Sequence, residues 1–168
     1  LDRPDSELAS WMQLGVIAGY VSGGATISGC YTDVDIVYDV GRETTVTGGY
    51  PDRGFPEYCD VYVGGIAASV SKGTVTNCYS TGSITAAGTR RVIAGGIVGG
   101  LRSANATVEY CYSTSGITAI PTDMSSSGMV SGAGSIVGSL AAYDGGDGGT
   151  VQYCFGLSDS INCGGFEL

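Results

Sequence analysis

A six-residue block occurs four times in this chain. It reads Thr26-Ile27-Ser28-Gly29-Cys30-Tyr31, Thr74-Val75-Thr76-Asn77-Cys78-Tyr79, Thr107-Val108-Glu109-Tyr110-Cys111-Tyr112 and Thr150-Val151-Gln152-Tyr153-Cys154-Phe155. Thr, a β-branched apolar residue, Cys and an aromatic keep their places while the two positions between them vary. Each block is followed by an isoleucine, at Ile36, Ile84, Ile117 and Ile161. Each is preceded by a small-residue apolar segment: Gly15-Val16-Ile17-Ala18, Gly65-Ile66-Ala67-Ala68, Gly96-Ile97-Val98-Gly99 and Ser135-Ile136-Val137-Gly138. The cysteine spacing is uneven, so the surplus residues fall in connecting loops. A unit that recurs every 20–50 residues or so signals a solenoid, a propeller or another stacked array. Such a unit cannot bury its apolar face alone and is stabilised by its neighbours.

Composition narrows the choice. The chain has 168 residues, a length that fits one domain. Its 30 glycines follow no Gly-X-Y period, which excludes collagen, and a 43% hydrophobic content against 14% charged argues against disorder. Short runs of β-branched residues, Ser, Thr and Gly predict strands joined by tight turns. The fold expected is all-β: a parallel, right-handed β-solenoid of about four irregular coils forming a single domain over 1–168. The repeats are read at 15–36, 61–84, 92–117 and 132–161.

Residues 1–14 are the one helical candidate. Asp5 or Ser6 can cap it, Glu7 favours the first turn, and Leu8, Trp11 and Met12 share a face. The segment is expected to be a short capping helix with Trp11 laid over the first coil. An insertion at 37–60 mixes Arg42, Glu43, Asp52, Arg53 and Glu57 with Tyr38, Tyr50, Phe55 and Tyr58. Loops on a rigid scaffold are where binding residues gather, so Tyr50, Arg53, Phe55 and Tyr58 are candidate contacts. A lateral hairpin, with Thr44–Thr47 as strand and Gly48-Gly49 as turn, is the alternative.

In a stacked coil, equivalent residues lie about 4.8 Å apart and form ladders. The β-branched residue and the Cys are three apart, so strict alternation would send them to opposite faces. A corner at the residue before Cys (Gly29, Asn77, Tyr110, Tyr153) resolves this, since Gly and Asn favour such bends. Ile27, Val75, Val108, Val151 and the ladder Cys30, Cys78, Cys111 and Cys154 are then inside. The cysteines are expected to be free buried thiols, because stacked Cβ vectors run parallel rather than toward each other. Tyr31, Tyr79, Tyr112 and Phe155 form an outward stripe, or else plug a wider core. Cys59 and Cys163 fall outside the ladder, and a bond between them is not expected.

Gly96-Ile97-Val98-Gly99, together with Gly73-Thr74-Val75-Thr76-Asn77-Cys78-Tyr79-Ser80-Thr81-Gly82, resembles the GLUG repeat of large secreted and cell-surface bacterial proteins, including immunoglobulin A peptidases and adhesin-like proteins. Copies one and four are degenerate, with Ala18 at the closing Gly position and Ser135 at the opening one. The resemblance implies an extracellular, non-catalytic module of a larger chain. The zinc domain of such peptidases carries His-Glu-x-x-His, and this chain has no histidine.

The same absence removes the ordinary Ser-His and Cys-His nucleophiles, and no Cys-x-x-Cys pair suggests zinc. A net charge of −9 disfavours nucleic acid and anionic membrane surfaces. No apolar run approaches the roughly 20 residues of a membrane span, and no signal segment leads at Leu1. Asp33, Asp35 and Asp39 alternate with apolar residues, so their carboxylates could hold Ca²⁺. β-Helical polysaccharide lyases pair Asp-bound Ca²⁺ with a basic residue, for which Arg42 would serve. The simpler reading is a solvated strand face. Asp144 and Asp147, in a Gly-rich loop, resemble calcium turns without their repetition. Asn105-Ala106-Thr107 is a formal glycosylation sequon that reads as a turn. No cofactor is expected beyond this Ca²⁺ option. The function expected is an adhesin-like or spacer module, secreted or on a bacterial surface, contacting host glycan or extracellular protein. The rival is a carbohydrate-active β-helix enzyme using Asp33, Asp35 and Arg42.

Overall fold

The structure, a computed structural model, describes residues 10–39, 59–88, 91–121, 131–140, 148–157 and 161–163. Among the described residues, twenty strands wind into four coils of five. Coil one contains β1 (Ser10–Gly15), β2 (Ala18–Val21), β3 (Ala25–Ser28), β4 (Tyr31–Asp33) and β5 (Ile36–Asp39). Coil two contains β6 (Cys59–Gly64), β7 (Ala67–Val70), β8 (Gly73–Thr76), β9 (Tyr79–Thr81) and β10 (Ser83–Gly88). Coil three contains β11 (Val92–Gly95), β12 (Val98–Leu101), β13 (Ala106–Glu109), β14 (Tyr112–Ser113) and β15 (Gly116–Pro121). Coil four contains β16 (Gly132–Gly134), β17 (Val137–Ser139), β18 (Thr150–Gln152), β19 (Phe155–Gly156) and β20 (Ile161–Cys163). Equivalent strands pair in parallel as five four-stranded sheets, for example β1-β6-β11-β16. The expected β-solenoid is therefore present, built on five strands per turn.

The register makes the repeat literal. Thr26, Thr74, Thr107 and Thr150 stand over one another, as do Ile27, Val75, Val108 and Val151. Ile36, Ile84, Ile117 and Ile161 form a further ladder. Two interior columns result. One is lined by Ile66, Val70, Val75, Cys78, Ile97, Leu101, Val108 and Cys111, and the other by Val61, Val63, Ile84, Val92, Ala94 and Ile117. The inner strand faces alternate as period-2 geometry requires: in β8, Gly73 and Val75 are buried while Thr74 and Thr76 are half-buried.

The expected corner lies where the spacing demanded it. Gly29, Asn77, Tyr110 and Tyr153 have φ of 65°, 51°, 50° and 53°, the left-handed conformation that reverses the inside–outside alternation and turns both the β-branched residue and the Cys inward. The same device closes each corner: the thiols of Cys78, Cys111 and Cys154 each donate to the carbonyl two residues back at 3.2 Å.

Two expectations are corrected. Residues 10–14 are not helical: Trp11 and Met12 belong to β1, and Met12 and Leu14 stack on Val61 and Val63. Isolated helices this short are marginal in water, whereas the extended form gains a six-residue ladder on coil two and a period-2 match to its core. Asp5, Ser6, Glu7 and Leu8 lie outside the described residues. The alignment of copy one also shifts by a residue. Gly15 pairs with Gly64 and Ala18 with Ala67. Val16 therefore stands at the opening Gly position, and Gly19, not Ala18, at the closing one. Among the described residues, β1 opens coil one at Ser10 and β6 opens coil two at Cys59, ahead of the repeats read from 15 and 61.

The glycine that opens the segment has a packing reason. A Cβ on Gly65 would collide with the Gly96 carbonyl and Ser80 Oγ, and one on Gly96 with the Ser135 carbonyl and Ser113 Oγ. In coil four the partners exchange sizes: Ser135 occupies the corner and Gly156 faces it, in register with Ser113. The corner is lined by buried hydroxyls that are all satisfied. Thr32 Oγ1 donates to the Gly65 carbonyl at 3.1 Å, Ser80 and Ser115 share a hydrogen bond at 3.1 Å, and Ser115 N donates to Ser113 Oγ at 3.2 Å.

Candidate interaction surface

The residue after each cysteine points outward, because the left-handed corner has just turned the cysteine in. Tyr31, Tyr79, Tyr112 and Phe155 are in register and exposed. Their ring centroids are 4.1 Å apart for Tyr31–Tyr79, 6.2 Å for Tyr79–Tyr112 and 5.7 Å for Tyr112–Phe155. The outward stripe is thus the arrangement adopted, and the core-plug alternative is not. Stacking has a consequence that spacing alone did not reveal. Tyr31 stacks on Tyr79 and Tyr112 on Phe155, while Tyr79 and Tyr112 are tilted by 40°, so the column offers edges, tyrosine hydroxyls and only part of its ring faces to solvent. Each inner ring has one face stacked on a neighbour, Tyr79 on Tyr31 and Tyr112 on Phe155, which reduces the aromatic face left for a flat ligand. Tyr79 ionises above the ordinary tyrosine range, first because of its hydrogen bond to Tyr31 and then through burial.

A second column was not read as a surface from the sequence. Tyr110 and Tyr153 occupy the left-handed corner itself, stack at 4.9 Å and are strongly exposed. The available signal was tyrosine at a position where Gly and Asn serve in the other two copies. Neither ring takes part in the interior columns.

The ladder thiols lie inside, and all four are free, as is Cys163. Cys78 and Cys111 are buried, Cys30 and Cys154 half-buried. Burial lifts the Cys78 thiol and pushes that of Cys111 up to about 12. These are packing groups in their neutral form, not nucleophiles.

Asp33, Asp35 and Asp39 are exposed. Thr81 Oγ1 donates to Asp33 Oδ1 at 2.7 Å and Ser83 Oγ to Asp35 Oδ1 at 2.8 Å. The two carboxylates are thus tied to coil two. Among the described residues, no group of three or more Cys, Asp or Glu side chains comes together as a metal site. Arg42, Tyr50, Arg53, Phe55 and Tyr58, and likewise Asp144 and Asp147, lie outside the described residues. Asn105 is exposed in the turn before β13.

A polar cluster on coils two and three was invisible in the sequence, because its members are distant along the chain. Arg91 bonds Asp60 at 2.7 Å and lies 5.5 Å from the Tyr62 ring centre, and Arg102 approaches the same ring at 5.2 Å. Burial raises the Tyr62 hydroxyl's pKa, against the opposing pull of Arg91 and Arg102. Tyr62, Ala68 and Ile93 form a small buried patch of their own, which the two guanidiniums flank.

Fold and surface together define a β-solenoid repeat module. The family model of the GLUG motif matches residues 60–85, a stretch that runs from β6 into β10 and so is one coil. The other three coils repeat its strand plan in register. No curated protein and no solved structure matches the chain.

Proposed function

We propose that this chain is a non-catalytic, adhesin-like repeat module of a secreted or cell-surface bacterial protein, which presents its aromatic ridge to an extracellular protein partner. The observation that carries the reading is the ridge itself. Six aromatic side chains, Tyr31, Tyr79, Tyr112 and Phe155 in one column and Tyr110 and Tyr153 in the other, are exposed on a solenoid whose interior has no need of them. Exposed aromatics anchor protein interfaces, where edges and hydroxyls contribute as well as faces. A host glycan is less well served, because Tyr79 and Tyr112 each have one ring face stacked on a neighbour. The GLUG match supports the modular reading.

The test uses the full chain in a screen of extracellular-matrix proteins and a glycan array, with and without calcium. The diagnostic variant is Tyr110→Asn combined with Tyr153→Asn. Asparagine stands at this position in coil two with φ of 51°, so the corner is kept and only the rings are lost. A protein ligand whose affinity falls at least about tenfold, the usual weight of one anchor residue, supports the proposal. Full affinity in the variant, or calcium-dependent cleavage of an acidic polysaccharide, overturns it. Silence across the screen leaves a spacer in its place.

A further inference from the structure

The parallel register brings phenols face to face across neighbouring coils. Tyr31 is in register with Tyr79, and the two rings stack with centroids 4.1 Å apart and planes 20° from parallel. The Tyr110 backbone N–H donates to the Gln152 carbonyl at 3.3 Å, which sets Tyr153 beside Tyr110. Those rings stack at 4.9 Å with planes 12° from parallel. Each pair is braced by a side-chain hydrogen bond between the same two coils. Thr81 donates to Asp33 at 2.7 Å beside the first pair, and Gln152 donates to Glu109 at 2.8 Å beside the second. All four rings are open to solvent: Tyr31 is 51% exposed, Tyr79 39%, Tyr110 54% and Tyr153 70%. The cysteine thiols next to them in sequence point the other way, into the interior column. The other exposed rings are placed differently. Tyr79 and Tyr112 are 6.2 Å apart and tilted by 40°, Tyr112 stacks on Phe155, which has no hydroxyl, and Tyr20 stands over Ser69.

We propose that Tyr31–Tyr79 and Tyr110–Tyr153 are sites of oxidative cross-linking, at which a haem peroxidase using hydrogen peroxide joins each pair as a dityrosine. The peroxidase takes one hydrogen atom, an electron with a proton, from each phenol, and hydrogen peroxide is reduced to two waters. The two phenoxyl radicals then form a carbon–carbon bond between ring carbons ortho to the oxygens. The hydrogens on those carbons move to the oxygens as the rings regain aromaticity. Both phenols are restored, and the chain has lost two hydrogens per bond. Radicals on stacked rings are already in contact, so coupling within a pair outruns coupling to a second chain that must arrive by diffusion. The first bond ties coil one to coil two, and the second ties coil three to coil four. Each closes a long loop in the unfolded chain, which is how a cross-link between distant residues stabilises a fold. The modification is independent of what the ridge binds.

The experiment treats the full chain, at low protein concentration, with a haem peroxidase and hydrogen peroxide, and maps the products by proteolysis and mass spectrometry. The chain is expected to run as a single-chain species under denaturing conditions, to lose two hydrogens for each bond, and to yield the Tyr31–Tyr79 and Tyr110–Tyr153 linked peptides. Tyr79→Phe should remove the first link and leave the second, and Tyr153→Phe should do the reverse. Both variants keep the ring and lose only the hydroxyl, and circular dichroism checks that each folds. An absence of dityrosine overturns the proposal, as do links formed only between separate chains. So do links at Tyr20 or Tyr112 as abundant as those within the two pairs, or a Tyr79→Phe variant whose cross-linking pattern is unchanged.

Discussion

Coils two and three and coils one and four are written in the same pattern, yet the same residue does different work in each. Ile97 and Ile66 are fully buried and Ile17, in the same ladder, is half exposed. Val75 and Val108 are sealed, whereas Val151 is 37% exposed. A residue in this fold is stabilising because of the rungs above and below it, so position in the stack decides what its side chain is worth. The middle coils are also where glycine is required. Gly65 and Gly96 have a coil on both sides, while the end coils carry Val16 and Ser135 at the same corner. The two degenerate copies are thus the coils that, among the described residues, pair with one neighbour rather than two.

The comparison can be broken by mutation. Ile97→Ala should destabilise the chain by about 4 kcal/mol, the cost of a cavity in a packed column. Ile17→Ala should cost about 1 kcal/mol, because much of that side chain is already in water. Equal costs in denaturant unfolding would contradict the account. Gly96→Ala should cost about 3 kcal/mol, as overpacking against a backbone carbonyl cannot be relieved by a rotamer change. Ser113→Gly should recover part of that loss by copying the Ser135–Gly156 exchange of coil four.

Smaller effects sharpen the same contrast. Asn77→Ala should cost about 1 kcal/mol, because a left-handed corner penalises a plain Cβ and the Asn77 side-chain bond to Thr76 Oγ1 at 3.1 Å is lost. Stability should also fall in alkali. An unfolded cysteine ionises near 9 and Cys111 only near 12. Its contribution is therefore complete below about pH 9 and is lost as the pH rises toward 12. At neutral pH a thiol reagent should label Cys30 and Cys154 ahead of Cys78 and Cys111, and labelling at a uniform rate would count against the sealed middle.

Much of this was legible before any coordinates. Four copies of Thr-[Ile/Val]-x-x-Cys-aromatic implied the ladders, and the three-residue step from the β-branched residue to Cys called for a corner at one position, whose left-handed form is visible only in the structure. The rest depended on contacts that a linear pattern does not carry. Leu8, Trp11 and Met12 fit a helix face, but Met12 and Leu14 equally fit a strand, and the decision rested on Val61 and Val63 fifty residues away. Asp33 and Asp35 read as a solvated strand face with a Ca²⁺ option, and their bonds to Thr81 and Ser83 were not legible because those residues belong to the next coil. The stripe was placed correctly, but the stacking of Tyr31 on Tyr79 and of Tyr112 on Phe155, which decides which ring faces stay open, depends on contacts between coils.

Hydrogen exchange followed by mass spectrometry tests the central claim most directly. Backbone amides in a stack open from the unpaired ends. The slowest exchange should fall in β7, β8, β12 and β13, with β1–β5 and β16–β20 exchanging earlier. Protection that is uniform along the chain, or greatest in coil one or coil four, would contradict a four-coil stack held from its middle.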